Sequence, residues 1–293
     1  MIRQLTLVGV GLIGGSLALA LRRAGAVERI VGVGRRLSEL ARAVELGVID
    51  EAASTVVEGA RGADMVVLGV PLGAMREVFG ELKQAVAEGA VVTDVGSAKG
   101  AVIADAEAVF GSCPARFVPG HPIAGTEGSG VGAAFAELYD GHRVILTPLE
   151  HTEPEAVDRV TGLWEAAGAE VVRMDPGHHD EVLAATSHLP HALAYALVDA
   201  LSRWDDRQEI FEFAAGGFRD FTRIASSDPA MWRDICLANR RHLGAALRRY
   251  LTELTQLTEA VEAGDAERLE AIFENARAER QRFLDRLEGR RTS

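Results

Sequence analysis

The sequence predicts an α/β chain in two parts, a parallel sheet covered by helices on both faces over residues 1–175 and helices alone over 176–293. Two observations predict it. Short apolar runs alternate with helix-like segments through the first part, as strands buried on both faces require. Strand signals then stop near Asp175, and leucines recur at helical spacing to the end.

The elements follow in order. Leu5 to Val10 is an apolar run ending in glycines, and Leu17 to Arg23 is helical in composition, stopping near Gly25. Ile30 to Val33 is a second strand. Ser38 to Leu46 reads as a helix with Ser38 as cap and Gly47 past its end. Met65 to Val70 ends at Pro71, and Ala90 to Val95 and Phe117 to Val118 are further strands. Val144 to Leu146 and Val171 to Met174 close the series, with a helix opening at Pro154 between them. Leu183 to Leu201 is helical, and Pro190 should kink or restart it. Leu243, Leu247, Leu251, Leu254 and Leu257 form one apolar stripe. Leu269, Ile272, Phe273, Ala276, Phe283 and Leu284 form another. These are more than a small helical domain buries alone, so a homodimer through these helices is expected.

Composition narrows the function. The 293 residues carry a net charge of −12, with the basic residues scattered, which argues against nucleic acid as a partner. Cys113 and Cys236 lie far apart, in neither a disulfide framework nor a metal-ligand spacing. No secretion signal is visible and no apolar run would span a bilayer, so the expected location is the cytoplasm.

Gly9-Val10-Gly11-Leu12-Ile13-Gly14 follows a strand and opens a helix. The first glycine permits a tight turn, the second lets the backbone approach a pyrophosphate, and the third allows close strand–helix packing. The first part therefore reads as a Rossmann-type dinucleotide-binding domain. At the end of the second strand, where NAD enzymes commonly place an acidic residue, stand Gly34, Arg35 and Arg36. Two guanidiniums could pair with a 2′-phosphate, which leans to NADP; an arginine stacked on adenine would leave NAD, and both stay open.

Ser97, in the turn Gly96-Ser97-Ala98-Lys99-Gly100, follows a strand, on the side where such sheets bind ligands. His121, between glycine and proline in Gly120-His121-Pro122-Ile123-Ala124-Gly125-Thr126-Glu127, reads as a catalytic histidine on a loop. His188 and His191 share a helix face but lack well-spaced partners for a metal. Arg219 and Arg223, in the run Phe218-Arg219-Asp220-Phe221-Thr222-Arg223-Ile224-Ala225, are suited to carboxylates, although a surface role is the simpler reading of either alone.

Taken together, these motifs, with Ser187-His188-Leu189-Pro190-His191 and the Asp228-Pro229 to Trp232 ending, resemble the prephenate and arogenate dehydrogenases in order and spacing over nearly the whole chain. The resemblance implies an NAD(P)-dependent hydride transfer coupled to loss of carbon dioxide, giving 4-hydroxyphenylpyruvate from prephenate or tyrosine from arogenate. It implies that His121 takes the ring-hydroxyl proton, that Ser97 orients it, and that Arg223 grips the departing carboxylate. It places His191 near the substrate side chain and Thr126, Glu127 and Trp232 along the pocket. Arg219 stands where the family often has lysine. Two other readings remain: a reductase of similar build acting on a β-hydroxyacid or imine, and a protein that senses NAD(P) without turnover. Neither explains why His121, Ser97 and Arg223 occur together.

Overall fold

The computed structural model describes residues 1–87, 89–126, 128–205 and 207–291, without the side chains of 288–291. The chain divides into two compact units, Met1–Leu243 and Gly244–Ser293.

The larger unit opens with β1 (Ile2–Val8), α1 (Leu12–Arg23), β2 (Val27–Val33), α2 (Leu37–Glu45), β3 (Glu51–Ala53), α3 (Val56–Ala60), β4 (Met65–Leu68), α4 (Met75–Leu82), β5 (Val91–Asp94), α5 (Lys99–Phe110) and β6 (Phe117–Val118). These strands form a six-stranded parallel sheet in the order β3-β2-β1-β4-β5-β6. Every residue of β4 and β5 is buried; β4 reads as an unbroken apolar run for that reason, whereas β5 ends in the buried polar residues Thr93 and Asp94. One face packs on α1 and α6 (Pro154–Ala166), through Leu17, Leu21, Val160 and Trp164. The other packs on α3, α4 and α5, through Ala60, Phe79 and Val102.

The later strands depart from the single sheet expected. β7 (Gly120–Pro122), β8 (Arg143–Leu146) and β9 (Glu170–Arg173) form a separate three-stranded sheet, β7 antiparallel to β8 and β8 parallel to β9. His121 thus lies in a short strand rather than a loop, opposite Ile145. The cap of α2 also differs. Its N-cap is Arg36 and Ser38 sits inside the first turn.

After β9 the unit is helical: α7 (Pro176–Leu183), a π-helical segment (Ala184–His188), α8 (Leu189–Leu201), α9 (Arg207–Glu212), α10 (Gly216–Thr222), a 3-10 turn (Arg223–Ser226) and α11 (Pro229–Ala238). Pro190 falls in the first turn of α8, where its missing N–H costs little, and the wider π turn before it absorbs the proline. α12 (Arg240–Ala263) runs into the second unit, which it fills with α13 (Ala266–Arg291). Gly264 joins the two at φ +63°, a conformation glycine adopts without strain. In this unit Leu251, Leu254, Val261, Ile272, Phe273 and Phe283 are exposed.

The turn from β1 to α1 gives each glycine a separate reason. Gly9 has φ +100°, and a Cβ there would lie 2.3 Å from the Gly69 carbonyl oxygen. A Cβ on Gly14 would lie 2.4 Å from the Gly9 carbonyl oxygen, whereas one on Gly11 would meet nothing within 4 Å. Gly14→Ala should therefore destabilise the fold by about 1–3 kcal/mol. Gly11→Ala, at an ordinary extended φ of −101°, should leave stability nearly unchanged. Denaturant unfolding of both variants checks the contrast, and equal losses would contradict it.

Candidate functional site

The turns after β1, β4 and β5 all lie at the carboxyl end of the sheet, where β7 also begins. Two contacts knit this rim. The turns after β1 and β4 touch at Gly9 and Gly69. The end of β5 is joined to β7 by a buried ion pair: Lys99 Nζ donates to Asp94 Oδ2 at 2.5 Å and to the Gly120 carbonyl oxygen at 2.5 Å, with both side chains fully buried. Asp94 also accepts from the backbone N–H of Gly96 at 2.7 Å and of Gly120 at 3.1 Å. Ser97, half-buried, lies within the turn these bonds hold, and His121 follows the residue they anchor. Burial pushes the Lys99 ammonium below its ordinary range, and the charge of Asp94, then its hydrogen bond, then Asp180 oppose the fall.

From the helical side, α7 supplies His179 and Asp180. His121 Nδ1 lies 2.9 Å from His179 Nε2, and His179 Nδ1 lies 2.8 Å from Asp180 Oδ1. Asp180 accepts the first amides of α5, Lys99 N at 2.8 Å and Gly100 N at 2.9 Å. Burial alone would raise this carboxyl; the bonds from His179, Gly100 and Lys99 outweigh it and hold it below its ordinary range. His121 is held well below its ordinary value, by burial first and then by His179, Lys99 and His188.

His188 is fully buried and pushed down to about 4, by burial first. Its Nδ1 lies 3.1 Å from Asn239 Nδ2, which also donates to the Asp180 carbonyl oxygen at 2.7 Å. Asn239 therefore joins α11 to α7. The ring of His191 stacks on Trp232 with centroids 3.6 Å apart and an interplanar angle of 17°. Nε1 of Trp232 is buried with no hydrogen-bond partner among the described residues, and His188 has the backbone of Ser97 within its reach.

The other expected residues are placed less closely. Thr126 is exposed and its Oγ1 accepts from Gly128 N at 3.2 Å. Glu127 lies outside the described residues. Arg219 is exposed, 3.5 Å from neighbouring Asp220. Arg223, also exposed, opens the turn that ends at Ser227, whose carbonyl oxygen accepts from Tyr195 of α8 at 2.6 Å. Leu12 and Ile13 begin α1, and the Ile13 carbonyl oxygen accepts from Tyr139 at 2.6 Å. Among the described residues no group of histidines, cysteines and carboxylates could hold a metal, and no helix is long and apolar enough to cross a membrane.

A dinucleotide fits the turn after β1. The open space at Gly11 admits a backbone-hugging pyrophosphate, and the first turn of α1 has no side-chain cap and no acidic residue to compete for its amides. Arg35 and Arg36 are exposed past the end of β2. The acidic residue in the first turn of α2, Glu39, lies instead against Gly130, where an added Cβ would sit 3.4 Å from its Oε2.

Such a fold and rim define a nicotinamide-dinucleotide-dependent dehydrogenase. Residues 17–173 match the family model described as "Prephenate dehydrogenase, nucleotide-binding domain", and residues 175–275 match "Prephenate dehydrogenase, dimerization domain". The chain is 38% identical to the prephenate dehydrogenase of Bacillus subtilis, over 92% of this chain and 73% of that one. It is 36% identical to the cyclohexadienyl dehydrogenase of Zymomonas mobilis, over 95% of each. The crystal structure of prephenate dehydrogenase from A. aeolicus with hydroxyphenyl propionate and NAD+ superposes with a TM-score of 0.90 at 39% identity, covering 97% of this chain and 99% of that one. The chain belongs to the prephenate dehydrogenase family and is an NAD(P)-dependent oxidoreductase.

His179, Asp180 and Asn239 were absent from the sequence-based site. The adjacent His179-Asp180 pair just inside a helix was the one available signal. Lys99 stood inside a noted motif without a role.

The ion pair yields a stability prediction. Lys99→Met leaves Asp94 charged and buried without its cation, a loss of about 3–5 kcal/mol. Equilibrium unfolding in urea measures it, and a loss below about 1 kcal/mol, the range of exposed pairs, would show that the pair does not organise the rim.

Proposed function

We propose that the chain converts prephenate to 4-hydroxyphenylpyruvate by oxidative decarboxylation, with His121 as the base. The observation that carries the reading is the His121 imidazole at the carboxyl end of the sheet, next to Gly120, which Asp94 and Lys99 tie to the Ser97 turn. When bound, the nicotinamide supplies the hydride acceptor. His121 accepts the proton of the ring hydroxyl, and a base kept neutral by burial is ready for it. Ser97 orients His121 and the hydroxyl. Arg223 grips the carboxylate that departs, with Arg219 on the same helical segment. His191, Trp232, Thr126 and Glu127 line the pocket.

Gly9, Gly11, Leu12, Ile13 and Gly14 hold the pyrophosphate in this reading, and Arg35 and Arg36 favour NADP over NAD. Residues 1–175 act as the nucleotide-binding domain and 176–293 as the substrate-binding and dimerisation domain. The exposed apolar residues of α12 and α13 support a homodimer through those helices. The cytoplasm is the proposed location. Arogenate is the alternative substrate, since relatives carry both specificities in their names: the crystal structure of the Synechocystis arogenate dehydrogenase is 30% identical, with a TM-score of 0.80.

The test is nicotinamide reduction with each substrate and each cofactor. Turnover of prephenate with a lower KM for NADP is expected; a lower KM for NAD would defeat the cofactor assignment, and no turnover of either substrate would leave a dinucleotide-sensing protein. His121→Asn should cut kcat by about 10²–10⁴-fold with KM nearly unchanged. Arg223→Ala should chiefly raise KM. Because His121 must be neutral to act and its pKa is lowered, kcat/KM should hold as pH falls through 6.5 and decline only below it. An acidic limb at or above 6.5 would contradict the assigned base.

A further inference from the structure

We infer that His179 is a positioning residue which, with Asp180, fixes the tautomer of His121 so that Nε2 is the atom that receives the substrate proton. The inference rests on the reading of His121 as the base.

The argument starts at the carboxylate. Asp180 takes two amide hydrogen bonds from the start of α5 and one from His179, and these keep it ionised. An ionised carboxylate only accepts, so His179 carries its proton on Nδ1. Taken as a neutral ring, with one donor and one acceptor, His179 keeps a lone pair on its Nε2. The atom facing that lone pair at 2.9 Å is His121 Nδ1, which must then be the donor. His121 is left with its own lone pair on Nε2. One carboxylate thus sets two rings in series. The reverse arrangement, with His179 donating from both nitrogens, would put the His121 proton on Nε2 and leave no lone pair for the substrate.

Position is fixed as well as protonation. The His121 backbone follows Gly120, whose N–H and carbonyl are held by Asp94 and Lys99. Its ring meets His179 edge to face, with centroids 5.1 Å apart and planes at 64°. His179 is fully buried, so no water competes for its Nε2. In the reaction the hydroxyl O–H bond breaks and its proton forms a bond to His121 Nε2. The proton on His121 Nδ1 and the one on His179 Nδ1 stay where they are. The positive charge formed on His121 faces the Asp180 carboxylate across a neutral ring. Exposed His178, one residue away and 3.8 Å from Glu181, takes no part and serves as a control.

The test has a spectroscopic arm that needs no turnover. In the full-length protein labelled with ¹⁵N-histidine, long-range ¹⁵N–¹H spectra show which ring nitrogen of His121 bears the proton, with His121→Asn identifying its signals. A single Nδ1–H form is expected. His179→Phe should turn it into a mixture and lower kcat on the order of 10–100-fold, with little change in KM. His179→Gln, whose amide oxygen can accept from His121 Nδ1, should recover the single form and much of the rate. His178→Gln should change neither. A proton on Nε2 of His121 in the unaltered protein overturns the inference whether or not the variants fold, as does a folded His179→Phe protein with unchanged tautomer and kcat. If the tautomer is as stated but neither prephenate nor arogenate is oxidised, the base assignment fails and the positioning geometry stands.

Discussion

The rim of the sheet depends on one buried ion pair. Asp94 ends β5 and Lys99 begins α5, so the four-residue turn between them could take many shapes. Closing it with a carboxylate and an ammonium at 2.5 Å fixes Ser97 within it. The same two side chains bind the N–H and the carbonyl of Gly120, where the chain leaves one sheet for another. Those two backbone groups would otherwise be buried without partners, at a cost of about 1–3 kcal/mol each. Removing two charges from water costs several kcal/mol per ion, and only dense hydrogen bonding offsets it. Here Asp94 accepts two amides as well as the ammonium. An apolar pair of similar volume could pack as tightly, but it could not hold Gly120, the residue before His121, to the Ser97 turn. Exposed pairs such as Arg3–Asp64 carry no such burden.

Sequence reasoning succeeded where a requirement is local. Gly14 answers a steric demand five residues away, at the Gly9 carbonyl, and a buried strand such as β4 announces itself by uninterrupted apolar composition. It failed where partners are remote. His121 and His179 are 58 residues apart, and Asp180 and Asn239 are 59 apart. Nothing in either segment signals the other. The same limit hid β7: three residues between glycines and a proline look like a loop until β8 supplies their hydrogen bonds. Ser38 was misread as a cap because a small polar residue before an apolar pattern usually is one. In the structure the cap falls two residues earlier, at Arg36. Pro190 was legible as an interruption, but not that a π segment would accommodate it.

The charges near His121 do not balance, and the imbalance has a direction. Lys99 is matched by Asp94. Asp180 has two amides and the His179 ring, but no lysine or arginine side chain bonded to it among the described residues. The buried cluster is thus one positive charge short. On the proposed reading of His121 as the base, burial keeps its ring from supplying that charge in the free protein. Once a proton is transferred from a ligand, the imidazolium completes the pairing with Asp180 through His179. An environment organised for the charge distribution that follows proton transfer lowers the barrier to it, because fixed dipoles and charges need no reorganisation when the proton moves. Burial and the carboxylate therefore act at different stages. On that reading, burial empties the base before the reaction, and Asp180 stabilises it when filled.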